Sequence, residues 1–181
     1  MRAFRLLKPN EIECRIQQVG KYNGKEGVKM YARVLLYKTA RTDAALLDEV
    51  IGPQNWQNAY RSIDGKLYCG IGIRTAHDWI WKWNTGTESN MEAQKGEASD
   101  AMKRAGFVLG IGTELYSAPD IVIYSPKADI RQMENGKLVC YDRFYVRDIA
   151  YDQNENISRL VIAKGNVDVA KGNVDVFAWG R

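Results

Sequence analysis

The sequence predicts an α+β fold in which an antiparallel β-meander is followed by a long helix and then by a β-rich C-terminal part. Strand-like segments over residues 56–84 are separated by Asp64-Gly65, a hairpin signal because both residues tolerate positive φ. A capping box formed by Ser89 and Glu92 precedes apolar residues at helical spacing. After residue 120, turn signals separate further strand candidates.

The chain before the meander contains one predicted strand and one predicted helix. Residues 8–27 mix glycines with alternating charges and show no clear period, whereas residues 28–37 are rich in β-branched and aromatic types, as in a strand. A short helix is expected over Asp43–Ile51, capped by Thr42 and stopped by Gly52-Pro53. Helical spacing places three of its acidic residues outward and three apolar residues inward: Asp43, Asp48 and Glu49 outward; Ala45, Leu46 and Val50 inward.

The meander and the long helix follow. The predicted strands are Trp56–Ile63, Lys66–Thr75 and Trp79–Asn84. Two glycines of the second strand, Gly70 and Gly72, indicate a bulge or a close backbone approach. The helix is expected over residues 90–109, where Gly110 and Gly112 end it.

The C-terminal part is predicted to be β-rich. Asn135-Gly136 is typical of a hairpin turn, residues 138–149 and 157–163 of strands, and residues 152–156 of a second turn. The heptapeptide AKGNVDV of residues 163–169 is repeated at once in residues 170–176; it is too short for a solenoid repeat and is interpreted as a tandem insertion in a loop or edge strand. The expected domains are residues 1–120, which form a core, and residues 121–181, a β-rich extension packed on it.

Composition narrows the class of protein. A chain of 181 residues with 45% hydrophobic and 27% charged residues is typical of a soluble globular protein. No apolar run follows the basic N-terminus or reaches the length of a membrane helix, so we expect no signal peptide, no membrane association and a cytoplasmic location. The three cysteines are odd in number and far apart, which favours reduced thiols over a disulfide framework or a zinc site.

Charge is distributed unevenly along the chain. The first 41 residues hold ten basic and three acidic side chains, a net charge of +7, whereas the whole chain carries +4. An electropositive face of this kind suits a polyanion better than a small substrate, and a merely solvated basic face is the alternative.

The motifs of most enzyme classes are missing. His77 is the only histidine, and the sequence contains neither HExxH nor GxSxG. Gly20–Lys25 resembles a phosphate-binding loop but is one residue short and lacks the Ser or Thr that holds magnesium. We therefore expect no enzyme, no cofactor and no metal. Carboxylate pairs of a two-metal nuclease stay open, since they need only converge in space.

The most informative segment is Lys95–Gly112. Asp100 and Arg104 stand in the favourable acid-first i, i+4 order, which alone is typical of a solvated helix with one ion pair. The pattern K…DxxKRA, with its glycine-rich tail, resembles the central helix of the Rad-fifty-two-type single-strand annealing family. IGPQNW (51–56) and DGKLYCGIGI (64–73) resemble two more blocks of that family in the same order, and residues 28–116 are most similar to its bacteriophage and prophage Sak-type members.

The resemblance implies a fold, an activity and partners. The fold is a β-β-β-α core, with the meander packed on the long central helix and subunits assembled into a ring of about eleven. The activity is ATP-independent binding of single-stranded DNA and annealing of complementary strands in homologous recombination, in the cytoplasm of a bacterial host. The partners are single-stranded DNA and other copies of the chain; a phage or host single-strand-binding protein is a further candidate.

The resemblance also implies two DNA sites. In the inner site a Lys-Arg pair grips the phosphate backbone, together with residues on the preceding strand and near it: Lys103 and Arg104, with Tyr37, Arg33, Lys38 and Arg41. The outer site, which receives the complementary strand, contains Lys66, and strand alternation adds Arg74. Phe107 stands where eukaryotic members have another arginine, a departure from the family's inner-site pattern.

Other interpretations stay open. The alternating Trp79, Trp81 and Trp83 are typical of a subunit interface or a core face, and stacking platforms for bases are the alternative. A metal-dependent DNA-end-processing enzyme and a passive DNA-end-protecting protein are the rival functions.

Overall fold

The computed structural model describes residues 4–24, 27–87, 93–165 and 173–180. Its helices are α1 (Ala40–Val50) and α2 (Ala93–Val108). Its strands, in chain order, are β1 (Glu13–Gly24), β2 (Gly27–Tyr37), β3 (Trp56–Ile63), β4 (Lys66–Arg74), β5 (Trp79–Thr85), β6 (Ile121–Tyr124), β7 (Ile130–Gln132), β8 (Leu138–Cys140), β9 (Phe144–Tyr151), β10 (Ile157–Lys164) and β11 (Val174–Gly180).

The chain forms two compact units, each built from two stretches of sequence. The first unit contains Met1–Leu7 and Lys38–Thr113, and the second contains Lys8–Tyr37 and Glu114–Arg181. The predicted boundary at residue 120 divides the chain differently. Residues 8–37 fall in the same unit as the C-terminal part because β2 pairs with β6 and β1 pairs with β9.

The first unit is a three-stranded antiparallel sheet in the order β3-β4-β5, with α2 packed on β4 and β5. This meander was predicted from the sequence and is confirmed. Asp64 and Gly65 join β3 to β4 with φ angles of 50° and 75°, as the hairpin signal requires. The buried residues of α2 are small or flexible, namely Ala101, Met102, Ala105 and Gly106, which lets the helix lie close to the sheet.

Helix α1 precedes the sheet. Thr39 caps it, since its hydroxyl oxygen accepts a hydrogen bond from the Thr42 amide at 3.3 Å; the predicted cap, Thr42, is wrong by one turn. Gly52 follows the helix with φ 88°, as predicted for its C-terminal stop. Three of the predicted face assignments are confirmed, since Leu46 is buried and Asp48 and Glu49 are exposed.

The other face assignments of α1 are wrong. Asp43 is fully buried, whereas Ala45 and Val50 are exposed. Asp43 faces inward because the ammonium group of Lys38 is its partner there, an interaction that compensates for burying a carboxylate.

The second unit contains a six-stranded sheet in the order β11-β10-β9-β1-β2-β6 and a two-stranded sheet, β7-β8. The hairpin turn at Asn135-Gly136 between β7 and β8 is confirmed, with Gly136 at φ 80°. Strands β2, β6, β9 and β10 contribute buried apolar residues to the core of this unit, among them Ala32, Val34, Ile121, Ile123, Val146, Leu160 and Ile162.

The predicted fold class is wrong. Half of the structure is strand and one fifth is helix, and the two helices have only 11 and 16 residues, so there is no long central helix in the described chain. Strand β1 was not predicted from the sequence. A bulge lies between Ile16 and Gln18, and it shifts the alternation of inward and outward residues that would have marked a strand. The ring is not shown by the structure.

Some expectations fall on residues outside the described ranges. The capping box of Ser89 and Glu92 lies there, and so do residues 166–172, which hold most of the heptapeptide repeat. The three cysteines, all within the described ranges, are free thiols, as predicted. No helix in the described part of the chain is long and apolar enough to cross a membrane.

Candidate functional site

The predicted Lys-Arg pair lies on the surface of α2 and shares one carboxylate. Arg104 Nε donates to Asp100 Oδ2 at 2.8 Å, and Lys103 Nζ lies 3.4 Å from Asp100 Oδ1. The amide and hydroxyl groups of Thr87 also donate to Asp100, at 3.1 and 3.2 Å. Two cations therefore stand against one carboxylate, which leaves excess positive charge on this part of the helix.

The pKa of Asp100 reflects these contacts. Partial burial acts to raise it, but the hydrogen bonds from Arg104 and Thr87 and the charges of Arg104 and Lys103 outweigh burial and lower it below the usual value. Asp100 is thus ionised at neutral pH and holds both cationic side chains in place on the helix surface.

Lys38, predicted to bind DNA, is buried instead. Its ammonium group donates to Asp43 Oδ1 and, at 3.1 Å, to the carbonyl oxygen of Lys103. The side chain is 7% exposed and that of Asp43 is 0% exposed. A Cβ on Gly112 would lie 2.6 Å from Lys38 Cδ, and one on Gly106 would lie 2.6 Å from Asp43 Oδ1. The Lys38–Asp43 pair therefore joins α1 to α2, and its charge faces the interior.

Burial dominates the electrostatics of Asp43. It raises the pKa of the carboxyl group to about 6, although the charge and hydrogen bond of Lys38, and more weakly the charge of Lys103, act to lower it. Asp43 Oδ2 has no hydrogen-bond partner among the described residues. Such an incompletely satisfied buried carboxylate is expensive to keep ionised.

The other predicted inner-site residues lie on other elements than Lys103 and Arg104. Arg41 is exposed on the first turn of α1. Tyr37 and Arg33 lie on β2, in the second unit. Arg33 Nε is 3.2 Å from a carboxylate oxygen of Asp120, so its charge is already partnered.

Tyr37 is likewise engaged within the second unit. Its hydroxyl donates to the carboxylate of Glu13. Partial burial, then the hydrogen bond and the charge of Glu13, raise the pKa of Tyr37 to about 12. The tyrosine is neutral at any physiological pH and holds β1 and β2 together.

The two predicted outer-site residues mark the ends of β4. Lys66 is its first residue and Arg74 its last, and both are exposed. Neither forms an ion pair with another residue in the described ranges. Residues an even number of positions apart on a strand share a face, so both cations lie on one side of the sheet.

Sequence reasoning missed Arg61 of β3. Its guanidinium carbon lies 4.7 Å from the centre of the Trp83 ring, a cation–π contact. The signal was available in the pairing of β3 with β4, because Arg61 stands opposite Tyr68 on the face that also carries Lys66 and Arg74.

The basic N-terminal stretch is divided between the two units. Residues 1–7 and 38–41 belong to the first unit and residues 8–37 to the second. The net charge of +7 that the sequence placed in one stretch is therefore shared by two units.

The second unit has a cleft of about 830 Å³ where β1 and β9 diverge after one paired position, Glu13 opposite Tyr145. Arg15, Arg143 and Arg147 line it together with Glu13 and Asp142. Arg147 is paired with Asp175 at 2.5 Å. Mixed charges line this cleft, so it favours no single class of ligand.

Comparisons with models of protein families, with curated proteins and with solved structures found no match. The resemblance to the annealing family therefore stays a prediction. Within the described ranges, no group of three or more His, Cys, Asp or Glu side chains is placed to hold a metal ion.

Proposed function

We propose that the protein binds single-stranded DNA and anneals complementary strands without ATP. The observation that carries the proposal is the Lys103–Arg104 pair on the surface of α2, where two cations share the single carboxylate of Asp100. Arg104 uses only Nε for this carboxylate and is about half exposed, which leaves guanidinium donors for phosphate oxygens.

The proposed binding is electrostatic and independent of sequence. Lys and Arg neutralise backbone phosphates and release counterions, which favours binding and makes it salt-dependent. Base pairing between the two strands supplies both sequence specificity and the free energy of annealing, so ATP hydrolysis is not needed. The resemblance of residues 28–116 to single-strand annealing proteins supports the annealing step.

A charge-removal variant tests the binding site. Lys103→Ala with Arg104→Ala should weaken binding of a labelled oligonucleotide at least about tenfold, measured by fluorescence anisotropy. Loss of two phosphate contacts should also reduce the slope of log K against log salt by about 1.4, from 0.7 per contact. Unchanged affinity in a folded variant would contradict the proposal.

The matched control removes the same charge elsewhere. Arg131 and Lys137 are exposed at the β7–β8 hairpin of the second unit, and Arg131→Ala with Lys137→Ala should leave affinity nearly unchanged. Equal losses in both double variants would mean that net charge, rather than the α2 pair, controls binding.

Annealing and its rivals need separate assays. Complementary oligonucleotides carrying a fluorophore and a quencher should anneal faster with the protein and without nucleotide. A protein that binds single strands but does not accelerate pairing would be a passive end-protecting protein. Cleavage that requires Mg²⁺ and stops with chelator would identify a metal-dependent end-processing enzyme. The mass of the native complex tests self-association, which the resemblance implies.

A further inference from the structure

The sheet of the first unit has two unlike faces. Directly opposed residues of antiparallel strands share a face, and β5 places Trp81 opposite Gly72 and Trp83 opposite Gly70. The other face carries Cys69 and Ile71, both fully buried. Asn84, also on that other face, donates to the carbonyl oxygen of Arg104, so α2 covers it and leaves the tryptophan face open.

The two indole rings lie flat on β4. A Cβ built on Gly70 would lie 2.6–2.7 Å from three atoms of the Trp83 ring, and one on Gly72 would lie 2.9–3.0 Å from three atoms of Trp81. Nearly equal distances to three ring atoms place each ring directly over its glycine. Only glycine leaves room for this arrangement. Of the two explanations expected for Gly70 and Gly72, a bulge is wrong because the register of β4 is regular. The glycines instead allow the indole rings to approach the backbone closely.

The rings together form an aromatic surface. Their centroids are 5.5 Å apart and their planes differ by 23°. One side of each ring faces the β4 backbone, so the opposite side faces away from the sheet. Arg61 lies over Trp83 at 4.7 Å, whereas no cation of the described residues forms such a contact with Trp81.

Cations surround this aromatic surface. Lys66 and Arg74, eight residues apart on β4, span about 26 Å along the strand with the indoles between them. Arg61, Lys66 and Arg74 are all exposed, and none has an ion-pair partner among the described residues. We call the surface formed by Trp81, Trp83, Arg61, Lys66 and Arg74 the indole face.

We propose that the indole face binds unpaired bases of single-stranded DNA, with a base stacked on Trp81 and phosphates held by Arg61, Lys66 and Arg74. Stacking on aromatic side chains beside basic residues is a general way of holding single strands, because every base has a π-face. A duplex offers no such face in its interior. The span between the two end cations suits a run on the order of four nucleotides.

Charge favours this occupant over a second copy of the chain. A symmetric dimer through the indole face would bring the same three cations of each copy close to those of its partner, and like charges facing each other oppose association. A polyanion has the complementary charge.

The inference rests on the proposed function for its ligand, but it uses a different surface, since α2 lies on the opposite side of the sheet from the indoles. Stacking adds a base-dependent contribution that phosphate contacts do not supply. An oligothymidylate of twelve nucleotides and an abasic strand of the same length carry the same phosphates. Comparing the affinities of the protein for these strands therefore separates the stacking contribution from the phosphate contacts.

The wild-type protein should bind the oligothymidylate at least about fivefold more tightly than the abasic strand, the lower end of the effect of one stacked base. Its tryptophan fluorescence should fall on binding the oligothymidylate. Equal affinity for the two strands would overturn the inference, and this comparison needs no variant that has to fold.

A substitution then locates the effect. Trp81→Leu should remove most of the preference for the strand that carries bases, whereas the matched control Trp179→Leu, at an exposed tryptophan of β11, should keep it. If Trp81→Leu keeps the preference, or if it lowers the mass of the native complex with the preference intact, the indole face is not the stacking site.

The two proposals fail in different ways. If Lys103→Ala with Arg104→Ala binds DNA normally and the base preference depends on Trp81, the α2 site is wrong and the indole face stands. If affinity depends on the α2 pair and the abasic strand binds as well as the oligothymidylate, the indole face is wrong and the α2 site stands.

Discussion

Replacing Asp43 by asparagine should strongly destabilise the first unit. The substitution removes a fully buried carboxylate and breaks its ion pair with the ammonium group of Lys38, which is 7% exposed. The carbonyl oxygen of Lys103 at 3.1 Å remains its acceptor. Breaking one partner of a buried ion pair costs about 3–5 kcal/mol, a large part of the roughly 5–15 kcal/mol by which domains are stable.

The reciprocal change should behave differently. Lys38→Met keeps the aliphatic stem that packs near Gly112 and removes the ammonium group, so the buried carboxyl can protonate. Without Lys38, which acts to lower it, the pKa of Asp43 should rise further above about 6. A neutral carboxyl is cheaper to bury than a charged one, and the loss of stability should therefore be smaller than for Asp43→Asn when the pH is low.

The pH dependence has a definite sign. The folded pKa of Asp43 lies above the usual 3.8, so between these two values the folded state binds more protons than the unfolded state, and the free energy of unfolding falls as pH rises. In Lys38→Met this range should extend to higher pH, so that the variant gains stability when the pH is lowered from about 8 to about 5. Asp43→Asn has no group to titrate there, so its stability should not change with pH through this site, and its deficit relative to the wild type should shrink as pH rises through about 6.

Urea denaturation of both variants, followed by circular dichroism across this pH range, measures the effect. Arg41→Met is the control, since Arg41 is exposed on the same helix and its loss should change stability by less than about 0.5 kcal/mol. If Asp43→Asn costs less than about 1 kcal/mol, the ammonium group is solvated, the buried-pair reasoning is refuted and Lys38 is available to bind DNA.

Three further substitutions test the packing, each by the midpoint of urea or thermal denaturation. Thr39→Ala removes the cap of α1 and should cost about 1 kcal/mol. Gly106→Ala places a Cβ 2.6 Å from Asp43 Oδ1 and should cost about 1–3 kcal/mol through overpacking; a neutral result would mean that α1 and α2 are farther apart. Leu160→Ala, fully buried in β10, should cost about 2–5 kcal/mol, and a smaller loss would place it outside a packed core.

The turns at glycine-containing pairs and the ion pair within α2 were predicted correctly from the sequence. Asp64-Gly65, Asn135-Gly136 and Gly52 adopt the positive φ angles that their residue types favour, because these requirements depend on one or two residues and their immediate neighbours. The ion pair of Asp100 with Arg104 follows equally from i, i+4 spacing.

Long-range pairing could not be predicted in the same way. Strand β1 pairs along its length with β2 and also meets β9 from the far end of the chain, and no local pattern specifies the second contact. The bulge between Ile16 and Gln18 removed the remaining signal. The fold class was consequently predicted around the meander and α2, with the C-terminal strands as an extension, whereas the structure joins β1 and β2 to those strands in one sheet.

The candidate site was predictable only as far as exposure could be inferred. Lys38 and Asp43 are five positions apart and separated by the cap of α1, a spacing for which helical rules predict no contact. The family resemblance assigned Lys38 to DNA, although its ammonium group is paired with Asp43 in the interior. The alternation of tryptophans was visible, but its meaning depended on two glycines of the neighbouring strand.

A cationic side chain is available to bind phosphate only if it is neither buried nor neutralised by an ion pair in the folded protein. Lys38 is buried against Asp43, and Arg33 is paired with Asp120. Arg61 and Arg74 are exposed, so their guanidinium groups stay hydrated and their N–H donors face solvent. Exposed, unpaired cations release counterions on binding a polyanion, whereas buried pairs do not. The salt dependence of DNA binding should thus follow the indole face and the α2 pair, whose two cations exceed the single carboxylate of Asp100 by one charge, rather than the net charge of the N-terminal stretch.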